Sequence, residues 1–130
     1  MIYNGMEIGD TTESGAPALF EKLPIFWSIA ERRPEFPRFY KQIMALRRSS
    51  TALRRGSLEW LRNSDESRVV TFLRRSGDEE VLVAINFSNR PFFGSVEVSN
   101  AGTFQDVNGG AVGLPALSLD AWGYKIFSRR

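Results

Sequence analysis

The run Glu80–Phe87, EVLVAINF, is the most apolar stretch of the chain. In an extended chain, successive side chains point to opposite faces. Val81, Val83, Ile85 and Phe87 then share one face, and Leu82 and Ala84 the other. A strand that is apolar on both faces has to be covered on both. The run therefore belongs in the middle of a sheet, with strands paired beside it and further structure above and below.

The surrounding sequence supplies such a sheet. From residue 57 onward the apolar period is two, with strands expected near 57–62, 68–75, 79–87, 92–98, 103–107, 116–119 and 122–128. Ser76-Gly77-Asp78 reads as a tight hairpin between the second and third. Asn89-Arg90-Pro91, Asn100-Ala101-Gly102 and Asn108-Gly109-Gly110 mark further turns. Short strands punctuated this often imply a mainly β fold, an antiparallel β-sandwich or barrel.

Before residue 57 the pattern changes. Residues 34–50 follow the three-four spacing of a helix, with Phe36, Phe39/Tyr40, Ile43 and Leu46 on one face. Pro37 suits the first turn and Arg47 and Arg48 the last. This helix, with its centre at 37–48, is expected to lay its apolar face on the β domain or on residues 19–29. Residues 19–33 are apolar without a clean period, around Pro24, and 10–18 form a polar loop. Met1-Ile2-Tyr3 reads as the end of a strand and Asn4-Gly5 as a turn.

Composition excludes most chemistry. The 130 residues contain neither Cys nor His, which removes disulfides, Ser-His-Asp and Cys-His sites, zinc fingers and histidine metal centres. Acid–base work would fall to Asp, Glu, Tyr or Lys. The net charge of +2 is uneven: residues 35–55 hold six basic residues and one acidic. That block reads as a solvated helix with Arg at its C-terminal end, and neither a nucleic-acid nor a membrane partner is expected.

Several residues invite a functional reading. Glu7 and Asp10 are a candidate carboxylate pair, but nothing in their spacing holds them across a sugar. Trp27, Trp60, Trp122 and Tyr124 could stack on sugar rings, although packing in the core or against the helix is the expected role of these aromatics. The acidic hairpin residues Asp78, Glu79 and Glu80 could attract a cation, but a solvated tip is expected. Asn108-Gly109-Gly110 lacks the Gly-Lys-Ser/Thr of a phosphate loop and reads as a turn.

Four stretches, in order, resemble one known family. IYNGMEIGD, with Tyr3-Asn4-Gly5-Met6-Glu7, looks like the segment after the last barrel strand in α-amylase-family glycoside hydrolases. FYKQIMALRRSSTALRRGSLEWL resembles that family's last barrel helix and the turn, Ala52–Gly56, into its C-terminal domain. VVTFLRRSGDEEVLVAINFSNRP resembles the central hairpin of that domain, and PALSLDAWGYKIF its closing strand. The resemblance implies an antiparallel Greek-key-type β-sandwich over residues 51–130. Residues 1–50 would then be an irregular remnant of a (β/α)8 barrel, ending in the amphipathic helix. It implies that the three catalytic carboxylates lie upstream of Met1, since barrel sites sit at the ends of several strands. Tyr3 and Asn4 would face the substrate end of the barrel, and Glu7 would be a structural acid under its rim. No metal or cofactor is implied. The implied partners are the catalytic barrel and, through it, an α-glucan or oligosaccharide. The bared barrel remnant would favour self-association. Two alternatives remain: a stand-alone carbohydrate-binding module, and a protein-interaction domain using the apolar N-terminal third.

Overall fold

The computed structural model describes residues 4–10 and 24–130 and divides into two units, residues 1–49 and 50–130. The expected strand end at Met1–Tyr3, and Leu19, Phe20 and Leu23 of the apolar segment, lie outside the described residues.

In the first unit, a single 3-10 turn over Met6–Ile8 follows Asn4 and Gly5. Helix α1 is one turn, Ile29–Arg32, and α2 runs Glu35–Ser49. Pro37 falls in the first turn of α2, where its missing N–H costs nothing, and Arg47 and Arg48 in the last, next to the negative end of the helix dipole. Phe36, Tyr40, Ile43 and Leu46 are half-buried, Phe39 is exposed, and no residue of α2 is fully buried. The apolar stripe is thus real but only partly covered. Part of that cover is local: the Phe36 ring lies against Gly9 so closely that a Cβ there would stand 3.3 Å from it.

The second unit opens with a short helix, α3, Thr51–Arg55, capped by the Ser50 hydroxyl, which accepts the Leu53 N–H at 3.1 Å. Seven strands follow: β1 Ser57–Leu61, β2 Val69–Ser76, β3 Glu79–Asn86, β4 Phe92–Ser95, β5 Gln105–Asp106, β6 Ala116–Leu119 and β7 Tyr124–Arg129. All the pairings are antiparallel. One sheet has the order β1-β2-β3-β7-β5, and β4 and β6 form a second. The EVLVAINF strand is the middle of the larger sheet, as its two apolar faces require.

The β2–β3 hairpin turns on Gly77-Asp78, with Ser76 opposite Glu79. Gly77 has φ +59°, which an L side chain adopts only with strain. The register then places Val69, Thr71 and Leu73 beside Asn86, Ala84 and Leu82 on one face, and Phe127 of β7 joins them opposite Leu82. This face and the inner side of β4 and β6 enclose the core: Val69, Leu73, Leu82, Ala84, Phe92, Val96, Phe104, Leu114, Leu117, Leu119 and Phe127.

The strand ends move for identifiable reasons. The expected strand at 92–98 stops at Ser95, where the chain turns aside to make a lone bridge from Val96 to Asn63. That at 103–107 shrinks to two residues behind a 3-10 turn at Ala101–Thr103. That at 122–128 starts only at Tyr124, because Trp122 takes a left-handed conformation, φ +57°. Phe87 was expected on a covered face. It lies one residue past the end of β3 and is exposed.

Candidate functional site

The turn Asn4–Asp10 carries three of the residues singled out in the sequence. Gly5 and Gly9, at φ +94° and +71°, let it close on itself. The Gly5 N–H donates to Glu7 Oε2 at 2.9 Å, and Gly9 N–H to the Met6 carbonyl at 3.0 Å. Asp10 Oδ2 accepts the Phe26 N–H at 3.4 Å, and Ile8 is buried beneath. The Glu7 carboxylate is therefore turned toward its own backbone, and Asp10 toward a neighbouring segment. Asn4 is exposed, and Tyr3 lies outside the described residues.

The acidic hairpin is not a solvated tip. Glu79 Oε2 accepts the N–H groups of Thr51 and Ala52, at 2.9 and 3.1 Å, at the start of α3. Burial pushes its carboxyl up, but the Ala52 N–H, the Ser50 hydroxyl, the Thr51 N–H and the charge of Arg130 outweigh this, and the net shift is downward. Glu80 is buried between two guanidinium groups. Arg75 Nε donates to Oε1 at 2.5 Å, and Arg129 Nε to Oε2 at 2.6 Å. Arg129 also donates to the Ser99 and Asn100 carbonyls and lies 4.3 Å from the centre of the Phe104 ring. A solvated reading failed here because the partners come from remote segments. These groups tie strands and helix together and offer no open coordination. Among the described residues, no group of three or more acidic side chains is arranged to hold a metal ion.

Two amides that sequence reading missed organise the loops. Asn86 is fully buried. Its amide donates to the Arg90 and Asp120 carbonyls, at 2.7 and 2.9 Å, and its oxygen accepts from the Ser88 N–H and hydroxyl. Asn63 donates to the Val69 carbonyl and to Thr71 Oγ1, and accepts the Asp65 N–H. Asp65 in turn binds the Ser67 hydroxyl and Arg68, which together hold its carboxyl below the usual range. The signal available in sequence was an Asn at or just after a strand end with Asp or Ser two residues on, a common local backbone-bonding pattern.

The aromatic residues expected in the core are outside it. Trp60 is 67% exposed, Trp122 66% and Trp27 57%, and Tyr124 is also exposed. Trp60 meets Phe72 edge-on at 5.7 Å. The register explains the placement: Trp60, Phe72, Val83 and Ile126 are cross-strand neighbours on the second face of the large sheet, away from the core. That face is apolar across β1, β2, β3 and β7 at the level of Trp60, with Arg74, Ser128 and Gln105 toward one end. Val81, Val83 and Ile126 are buried at its centre, while Leu58, Trp60 and Tyr124 are open at its rim. Helix α3 lies over one end, where Arg74 Nε donates to the Ala52 carbonyl at 3.3 Å.

The unit is thus two antiparallel sheets whose acidic groups Glu79 and Glu80 hold strands and helix together. Residues 60–115 match the family model described as the alpha-amylase C-terminal all-beta domain. The chain is 32% identical over 127 residues to Alpha-amylase 2 of Dictyoglomus thermophilum, covering 92% of this chain and 21% of that protein. It is 35% identical over 88 residues to a cyclomaltodextrinase of Geobacillus thermopakistaniensis, covering 68% and 14%. Among solved structures, a debranching enzyme of Nostoc punctiforme superposes with a TM-score of 0.61 at 26% identity, over 72% of this chain and 20% of that one. The chain belongs to the α-amylase family, and its β unit is that family's C-terminal all-β domain. It spans about a fifth or less of the length of these curated relatives.

Proposed function

We propose that this chain serves as the C-terminal part of a glycosidase acting on α-glucosidic bonds, and that by itself it is catalytically inert. The carrying observation is the extent of the similarity to Alpha-amylase 2: it covers 92% of the chain, and so both units. A free-standing carbohydrate-binding module would share only its sandwich with such an enzyme. In this reading residues 1–50 complete the catalytic barrel, and residues 51–130 form the domain that covers it. The second face of the large sheet, with Trp60, Phe72 and Tyr124, is the surface that lies on the barrel, because a contiguous apolar face of this breadth is rarely left to solvent. Tyr3 and Asn4 lie at the substrate end. Glu7 is a structural acid, supported by its hydrogen bond to the Gly5 N–H. The partners are thus the catalytic barrel and, through it, an α-glucan or oligosaccharide. Without the barrel, the apolar residues of the first unit drive self-association.

The test is a graft. The chain alone is expected to release no sugar from starch or malto-oligosaccharides. Placed on the barrel of the similar alpha-amylase, in exchange for the matching region, it is expected to restore the solubility and hydrolysis that the truncated barrel lacks. Hydrolysis by the free chain, or a graft no better than the bare barrel, overturns the proposal.

A further inference from the structure

We infer that the opposite side of the sandwich carries a binding site for a neutral hexopyranose ring, built on Phe93. Phe92 and Phe93 are consecutive on β4, and alternation sends them to opposite sides. Phe92 is buried in the core, whereas Phe93, opposite Ser118 of β6, is 79% exposed. It stands on the outer side of the second sheet. Two depressions flank it, of about 180 and 400 Å³.

The smaller depression joins Phe93 to Ser118, Asp120, Gly123 and Lys125, and is bordered by Tyr124 at the rim of the large sheet. The Asp120 side chain has no hydrogen-bond partner among the described residues, although its backbone carbonyl is engaged by Asn86. Lys125 Nζ reaches Ser118 Oγ only at 3.5 Å, a long contact that leaves ammonium protons for a ligand. A carboxylate to accept, an ammonium and a hydroxyl to donate, and an aromatic face beside them match a pyranose, whose C–H face is apolar and whose rim is hydroxyls. One acid and one base leave the site without net charge, which disfavours a phosphate or nucleotide. The larger depression has Gly94, Gly113 and Ala116 along it, where little side chain projects and a second ring can lie. The ring chemistry follows from these residues. The choice of an α-linked glucoside rests on the function proposed above.

The 15N-labelled full chain is titrated with maltotriose, and with cellotriose as the β-linked comparator, while amide shifts are followed. Saturable shifts with maltotriose are expected at Phe93, Ser118, Gly123 and Lys125. Phe93→Ala is expected to raise Kd about tenfold and Phe93→Trp to keep or lower it, as an aromatic stacking contribution requires. Asp120→Asn should weaken binding severalfold. The spectra report folding of each variant directly. Silence with both sugars, shifts centred on Trp60 or Trp122, or an unchanged Kd in Phe93→Ala overturns the site. Equal affinity for cellotriose leaves the pyranose site standing and overturns the α-glucoside assignment. A failed graft with intact maltotriose binding overturns the proposed function alone.

Discussion

Asn86 uses both amide protons and its carbonyl oxygen inside the protein, holding the 87–91 turn and the 120–123 turn to the end of β3. Replacing it by Ala removes four hydrogen bonds at a buried position and leaves the Asp120 carbonyl only the Gly123 N–H and the Arg90 carbonyl only the Ser88 hydroxyl. We expect Asn86→Ala to lower unfolding stability by about 2–3 kcal/mol, measured in urea at unchanged m. A loss below about 1 kcal/mol would mean that water substitutes for the amide. The residue scale is also where sequence reading was weakest. Asn86, Asn63 and Glu80 look like ordinary polar residues at strand ends. Asn63 is held by neighbours within eight residues, but Asn86 and Glu80 become structural through a partner brought close by folding, Asp120 for Asn86 and Arg129 for Glu80. The aromatic residues failed in the other direction. Hydrophobicity places Trp60 inside, but only the number of sheets packed on its face decides whether an inside exists there.

At the scale of elements, local pattern went much further. Alternation placed β2 and β3 to within a residue of their ends, because Gly77 fixes the turn and the turn fixes the register. The helix at 35–49 followed its three-four spacing and the position of Pro37. The weak spots were β5 and the ends of β4 and β7, where two or three residues of pairing yield to a turn. One link between elements has a pH signature. Glu79 of β3 accepts two N–H groups at the start of α3, and its pKa in the folded chain lies below the ordinary 4.5. A carboxyl lowered by folding stabilises the fold above its unfolded pKa, and this stabilisation is lost as pH falls through the folded value. The stability difference between the native chain and Glu79→Gln is therefore expected to be constant near neutrality, to shrink below about pH 4.5, and to vanish in stronger acid. Denaturant titrations across that range measure it, and a difference independent of pH would remove Glu79 from the helix start.

For the whole molecule, the division into two units carries a prediction of its own. Among the described residues, the contiguous hydrophobic cluster lies between Val69 and Phe127, and the half-buried neighbours reach back only to Leu61. The Ser50 cap and the Glu79 bonds that hold α3 lie within residues 50–130 as well. A chain of residues 50–130 is therefore expected to fold cooperatively, with a urea midpoint within about a tenth of that of the full chain. A broad or absent transition would show that the first unit is part of the core's stability.

The sequence alone determined that this protein has a central strand apolar on both faces, antiparallel neighbours joined by tight turns, one amphipathic helix, and no histidine or cysteine chemistry. These properties are set by residues a few positions apart, through side-chain alternation, helical spacing and backbone sterics. The tertiary structure decided which acids became structural, that Asn86 became a buried brace, and that Trp60 lies on an outer face. The deciding contacts for Glu79, Asn86 and Glu80 join segments 27, 34 and 49 residues apart, and their geometry is set by the packed sandwich and not by any local pattern.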